Sequence, residues 1–229
     1  MQADPLVSVI VPVYNERHTI SEVLRRLRDA PFRKEIIVVD DHSDDGTWEI
    51  LQKESDISLA RHDKNSGKGS AIRTGIAMAT GDIVIIQDAD LEYDPTEIPE
   101  VIRPIVEGRT TVSYGNRFSQ GLPKEMPLPN KIANRLLSLA VRILYRYPLQ
   151  DEATCYKAFE AGTLKQMNLT CTGFEFCPEV TAKSLRQGIR IVEVSLYKYR
   201  PRTKKGGKKI RWTDGVQAFW TLIKQRFGR

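Results

Sequence analysis

The sequence predicts an α/β fold with a mostly parallel central sheet flanked by helices. Three observations predict it. Runs rich in β-branched residues, at 7–13, 35–40 and 83–86, alternate with stretches of helical periodicity. Two of these runs end in acids, Asp40-Asp41 and Asp88-Ala89-Asp90. A glycine-rich turn, Asn65-Ser66-Gly67-Lys68-Gly69-Ser70, opens a helix between them. In open α/β sheets, loops at the carboxyl ends of the strands form the ligand crevice, so acids and glycines belong at that edge.

The elements follow in order. Val7–Val13 is a β-branched strand. Ile20, Val23, Leu24 and Leu27 fall at i, i+3, i+4 and i+7, so Thr19–Leu27 reads as a helix with one buried face. Glu35–Asp40 is the second strand. A helix follows through Trp48, Ile50 and Leu51, with Asp44 or Asp45 as its expected N-cap. Ile57–Arg61 is a short strand, and Ala71–Ala79 a helix closed by Gly81. The strand at 82–88 runs four apolar residues into Asp88, Asp90 and Glu92. Asp94-Pro95 starts a helix, since proline suits the first turn. Thr111–Gly115 is a strand that ends at Asn116-Arg117.

Prolines and glycines mark Ser119–Pro129 as a lid-like loop, and Asn130–Tyr147 is a long helix. Asp151–Lys157 is polar and without periodicity. A helix runs from Gly173 to Arg186, a strand from Ile189 to Val194, and an amphipathic helix from Trp212 to Phe227.

Composition narrows the function classes. The 229 residues are 41% hydrophobic, enough for a core, and no stretch reaches the length of a bilayer span. Met-Gln-Ala-Asp-Pro at the start has no basic or apolar leader pattern, and three unclustered cysteines suggest neither a disulfide framework nor zinc. A cytoplasmic placement is expected. From Tyr197 onward, eleven Lys/Arg face one acid, Asp214, whereas the first 196 residues carry a net charge of −4. A mildly acidic body with a basic tail suits phosphates or an anionic surface. A nucleic-acid or anionic-surface binding module is a rival reading, but acids at the sheet edge argue against nucleic acid.

Asp88 and Asp90 are two apart and share a face on an ideal strand. They read either as an acidic turn or as two hard oxygen donors for a divalent cation. Asp40 and Asp41 are expected to face ligand, with Asp44 and Asp45 structural. Gly67-Lys68-Gly69 is no Walker loop, because Lys68 is followed by glycine, but it suits close approach of an anion, with Lys68 adding charge. The helix at 212–227 suits either a membrane surface or packing on the domain.

In order, the motifs Val11-Pro12-Val13-Tyr14-Asn15-Glu16, Asp40-Asp41-x-Ser43-x-Asp45-Gly46-Thr47, Asn65-x-Gly67-Lys68-Gly69, Asp88-Ala89-Asp90-Leu91-Glu92 and Gly115-Asn116-Arg117-Phe118 resemble those of the GT-A glycosyltransferases of family 2. The branch they resemble is the polyprenyl-phosphate, dolichyl-phosphate mannose synthase-like one. The resemblance implies a GT-A fold over residues 1–211, with 212–229 as a C-terminal basic helix. It implies an inverting transfer of a hexose from GDP-mannose or a UDP-hexose to a polyprenyl phosphate, with Mg²⁺ or Mn²⁺ and peripheral membrane contact.

Residue by residue, it implies that Pro12, Tyr14, Glu16 and Asp41, with Lys68, Asp88 and Ala89, bind the donor nucleotide. Asp88, Asp90 and Glu92 would hold the metal, and Arg117, Arg202 and Lys205 the phosphates. Asp90, Arg117 and Asp151 are the expected catalytic set. Asp151-Glu-Ala-Thr-Cys-Tyr-Lys157 departs from the branch, so the acceptor side is the less defined. A hydroxyl acceptor, with Asp151, Glu152 or Glu175 as base, is the alternative.

Overall fold

The computed structural model describes residues 4–121, 123, 125–202 and 212–228. Seven strands form one sheet, ordered β3-β2-β1-β4-β6-β5-β7. They are β1 (Val7–Val13), β2 (Lys34–Asp40), β3 (Ser58–Arg61), β4 (Ile83–Ile86), β5 (Val112–Asn116), β6 (Lys157–Glu160) and β7 (Ile191–Ser195). Pairing is parallel for β1–β2, β1–β4, β2–β3 and β5–β7, and antiparallel where β6 meets β4 and β5. β6 alone runs backwards, so β5 and β7 point the same way as β1–β4. The carboxyl ends of six strands therefore share one edge.

Every residue of β1 and β4 is buried, as expected for strands covered on both faces. The helices are α1 (Ile20–Asp29), α2 (Thr47–Leu51), α3 (Lys68–Met78), α4 (Ile98–Val106), α5 (Leu128–Tyr145), α6 (Ala161–Gln166), α7 (Phe176–Arg186) and α8 (Trp212–Phe227). α1 buries the four residues its periodicity marks, Ile20, Val23, Leu24 and Leu27. Asp94 caps the 3₁₀ turn before α4, accepting from Thr96 N at 3.0 Å.

Several local expectations are corrected. α2 is capped by Gly46 at φ 97°, not by an aspartate, and Asp45 instead accepts from Thr47 N at 3.0 Å. α3 begins at Lys68, three residues early, because Gly67 at φ 92° is the last residue outside the helix. The loop after β5 gives way to α5 at Leu128, and Met126 within it is buried.

β6 and α6 are absent from the sequence reading. The cause is Lys157, which points inward, fully buried, and so erases the apolar pattern of a central strand. Its Nζ lies 3.6 Å from the Tyr114 ring centroid and donates to Glu152 O at 2.6 Å.

α8 packs on α5 and α7 through buried Ala218 and Leu222. Tyr145 Oη donates to Leu222 O at 2.7 Å and Arg226 Nε to Leu144 O at 2.8 Å. No helix among the described residues is long and apolar enough to cross a membrane.

Candidate active site

The chain leaves β1 through Pro12 and Val13, both buried, into a tight exit at Tyr14–Glu16. Asn15 takes φ 52°, a conformation asparagine tolerates. It laces this exit to that of β2. Its N donates to Ser43 Oγ at 2.9 Å, its Nδ2 to Asp44 Oδ1 at 2.8 Å, and its Oδ1 accepts from Asp44 N at 2.9 Å. Glu16 N donates to Thr47 Oγ1 at 3.0 Å, which fixes Glu16 at the edge with little exposure.

Of the Asp40-Asp41 pair, Asp40 departs from expectation. Asp40 is fully buried, accepts from Ser43 N at 3.2 Å and pairs with Arg61 Nε at 3.2 Å. It holds the β2 exit and does not face ligand. Asp41 is 3% exposed and accepts from Ser66 N at 2.9 Å and Gly67 N at 2.7 Å, with His62 Nδ1 at 2.7 Å. A carboxylate accepting several N–H bonds is the organiser of a turn.

The glycines of that turn have a defined purpose. A Cβ on Gly67 would lie 2.3 Å from Thr172 O, and one on Gly69 2.9 Å from Gly173 O. The turn thus seats backbone to backbone on the 171–173 segment, and Ser70 N donates to Thr172 O at 3.1 Å. Close approach is the reason for glycine here, but the partner is protein.

Lys68 leaves this turn and reaches Asp88 Oδ1 at 2.5 Å, with the Phe174 ring 5.8 Å from its Nζ. Burial works against the ammonium, but Asp88 outweighs it and holds the pKa above its ordinary value. Ala89 is buried. Asp90 Oδ1 accepts from Glu92 N at 3.0 Å, and Oδ2 lies 3.8 Å from Arg202 Nη1. Burial, then the charges of Asp88 and Glu92, push the Asp90 carboxyl up to about 7. Two hard carboxylates crowded this way suit a divalent cation. Among the described residues no group of three His, Cys, Asp or Glu side chains converges as a metal set.

Glu92 departs from the metal set of the sequence reading. Its side chain turns to the segment after β7, accepting from Arg202 N at 2.5 Å and Tyr199 Oη at 3.1 Å, while its carbonyl accepts from Arg200 N at 2.8 Å. Glu97 binds the same segment through Tyr197 N at 2.6 Å and Lys198 N at 3.3 Å. Residues 197–202 are thereby strapped across the β4–α4 connection. The strap delivers Arg202, whose guanidinium contacts Glu16 at 2.8 and 3.1 Å. Lys205, the other expected phosphate ligand of the tail, lies outside the described residues.

On the far side of β4, Arg117 leaves β5 and grips Asp151. Nε and Nη2 reach its two oxygens at 2.8 and 2.6 Å, and Arg117 N donates to Oδ2 at 2.9 Å. The two side chains are 7% and 0% exposed. Burial opposes the Arg117 charge, but Asp151 overrides it and raises the pKa. Glu193 aims Asp151 by accepting from Gln150 N and Asp151 N, each at 2.9 Å. Sequence reasoning named Arg117 and Asp151 separately, and the structure joins them.

Two further residues of this cluster escaped it. Asn134 Oδ1 accepts from Arg117 Nη2 at 3.2 Å, and the Tyr199 ring lies 5.3 Å from the guanidinium carbon. An asparagine amid α5's apolar residues and an aromatic amid basic ones were the available signals. Tyr199 also joins the two halves, because it touches Glu92 as well.

The family model described as Glycosyl transferase family 2 matches residues 8–165. A dolichol-phosphate mannosyltransferase of Pyrococcus furiosus is 32% identical over 196 residues, covering 82% of this chain. This chain spans 55% of that relative's length. A UDP-N-acetylglucosamine–dolichyl-phosphate N-acetylglucosaminyltransferase of Methanococcus voltae is 29% identical and covers 99% of this chain and 98% of its own. Among solved structures, glucosyl-3-phosphoglycerate synthase of Mycobacterium tuberculosis, in complex with Mn²⁺, UDP and glucosyl-3-phosphoglycerate, superposes with a TM-score of 0.74. It covers 98% of this chain and 81% of its own at 20% identity, a likeness of fold, and that fold is GT-A.

Proposed function

The chain belongs to glycosyl transferase family 2, and from that premise we propose that it moves a hexose from a nucleotide-diphosphate sugar to a polyprenyl phosphate at the cytoplasmic face of a membrane. The names of its relatives, which act on dolichyl phosphates, point the same way. Inversion at C1 follows from the family resemblance.

One observation carries the choice of acceptor. Of the carboxylates that would serve a hydroxyl acceptor as base, Asp151 is fully buried and clamped by Arg117. Glu152 is buried against Thr181 and Lys157, and Glu175 Oε1 is folded onto Thr172 N and Gly173 N at 2.7 and 3.0 Å. A phosphate acceptor is already anionic and needs positioning, not deprotonation. Arg117 and Arg202 are the positioning cations in this reading.

On the donor side, Pro12, Tyr14, Glu16 and Asp41 would frame the nucleotide, with Lys68 and Ala89 beside its diphosphate. Asp88 and Asp90 would hold Mg²⁺ or Mn²⁺. The fit rests on their hard oxygen chemistry and on the like charge crowded around Asp90. Such a cation would neutralise charge developing on the leaving diphosphate. Lys68 holds Asp88 in place for that task. GDP-mannose and UDP-hexoses are the candidate donors.

The test is incubation of the purified protein with radiolabelled nucleotide sugars, a divalent metal and polyprenyl phosphate. Label in an acid-labile lipid phosphate is expected. Transfer only to a hydroxyl lipid would overturn the acceptor.

A further inference from the structure

The two phenylalanines of Gly173-Phe174-Glu175-Phe176 are placed very differently. Phe176 opens α7 and is buried in the core. Phe174 is half-buried, yet it stands outside the hydrophobic core and outside the partly buried side chains packed against it. Its ring faces the Lys68 ammonium instead, at 5.8 Å. Binding sites are lined by apolar and aromatic side chains of this kind, set beside a few charged groups.

The loop that carries Phe174 is fixed in place. Glu179 accepts from Thr170 N at 2.9 Å and from Cys171 N at 2.7 Å. Glu175 accepts from Thr172 N and Gly173 N at 2.7 and 3.0 Å. The Gly67–Gly69 turn seats on Thr172 and Gly173, backbone to backbone, and Ser70 N donates to Thr172 O at 3.1 Å. Lys68 leaves that same turn, so backbone contacts set the spacing between its ammonium and the Phe174 ring. Two carboxylates and two glycines spent on one loop are the supporting shell of a positioned side chain.

The neighbours of the ring identify what it meets. Lys68 holds Asp88 at 2.5 Å and, in the donor reading, stands beside the diphosphate. The group bonded to that diphosphate is the hexose. A pyranose carries hydroxyls around its rim and C–H bonds on its faces, so it offers an apolar face to an aromatic ring. We propose that Phe174 is the platform for the donor's hexose, stacked on an apolar face of the pyranose while Lys68 attends the diphosphate. The inference rests on the donor site proposed above and adds the side chain that meets the sugar. The ring takes no part in the bond that breaks, and its work is to orient C1.

The test is calorimetric titration of the full chain, with Mn²⁺ present, by a nucleoside diphosphate and by its sugar: UDP against UDP-glucose, and GDP against GDP-mannose. Phe174→Leu keeps apolar bulk and loses the flat ring. It should raise the Kd for the nucleotide sugar about tenfold, the size of one aromatic contact, and leave the Kd for UDP or GDP within about twofold of wild type. Phe174→Tyr keeps the ring and should bind the nucleotide sugar within about threefold of wild type. Unchanged thermal melting shows that both variants fold. A nucleoside-diphosphate Kd that rises as far as the nucleotide-sugar Kd overturns the proposal, because the ring would then act through Lys68. So does a nucleotide-sugar Kd that Phe174→Leu leaves unchanged, whether or not the KM for polyprenyl phosphate rises. A Phe174→Tyr variant as weak as Phe174→Leu also does, since the ring would not be what the sugar meets. Wild-type protein that binds neither UDP nor GDP would defeat the donor reading itself, and the platform with it.

Discussion

The two sides of the sheet edge treat charge in opposite ways. At the exits of β1 and β4, four carboxylates, Glu16, Asp88, Asp90 and Glu92, meet two cations, Lys68 and Arg202. Burial, then the charges of Asp88 and Glu92, raises the Asp90 carboxyl there. Beyond β6 the pairing is closer, with Glu193 spent on two backbone N–H groups. Arg117 answers Asp151, and Lys157 stands near Glu152. In the proposed reading, the first side receives a cation and the second holds an arginine still. A site that binds a metal–diphosphate and then a separate phosphate needs both.

The contrast breaks most sharply at Asp90. Asp90→Asn should lower turnover about a thousandfold or more, because a bound cation contributes several kcal/mol to the reaction. Rates measured across a Mn²⁺ titration check it, and full activity of wild-type protein in chelator would remove the metal from the account.

Next is stability. Arg117→Ala strands a buried carboxylate and should cost about 3–5 kcal/mol. Arg25→Ala, in an exposed network at 2.6–2.8 Å that solvent screens, should cost far less. Urea denaturation of both variants compares them directly, and equal losses would mean that the buried pair is not special.

The pH dependence comes third. Asp90 has its folded-state carboxyl raised to about 7, against about 3.9 unfolded. The metal-free folded protein therefore binds the proton more tightly than the unfolded chain. Its contribution to stability is present at low pH and is lost as pH rises through 7. Metal competes with that proton, so Mn²⁺ affinity should fall about tenfold per pH unit below 7. Calorimetric titration at pH 5, 6 and 7 reads it.

The smallest effect separates two roles for Glu92. As strap anchor, Glu92→Gln loses part of its bonds to Tyr199 and Arg202 and should raise the polyprenyl-phosphate KM about three- to tenfold, with Mn²⁺ affinity unchanged. Weaker Mn²⁺ binding would return Glu92 to the metal.

The same two sides differ in how legible they were. β1 to β4 follow local rules. β-branched runs are fully buried strands, one-faced periodicity is a helix, and acids end strands. Their placement at one edge follows from parallel pairing alone. The other side depends on contacts with distant partners. β6 was hidden because its inward residue is Lys157, made tolerable by the Tyr114 ring and the Glu152 carbonyl. Arg117 and Asp151 are 34 residues apart and meet only once β6 has reversed between β4 and β5. The strap was a basic run in sequence, and its order comes from Glu92 and Glu97, about a hundred residues earlier. Asp40 was misread for a related reason. An acid after a strand looks alike whether it faces ligand or, as here, Ser43 and Arg61.

The division of labour between the two sides is tested most directly in one protein, Arg117→Lys. Lysine keeps a positive charge beside Asp151 but loses the two-pronged grip. The measurement is the Kd for nucleotide with Mn²⁺ alongside the KM for polyprenyl phosphate. The account predicts a nucleotide Kd within about twofold of wild type and an acceptor KM raised about tenfold or more. A nucleotide Kd that rises as far as the acceptor KM would contradict it, placing Arg117 on the donor diphosphate.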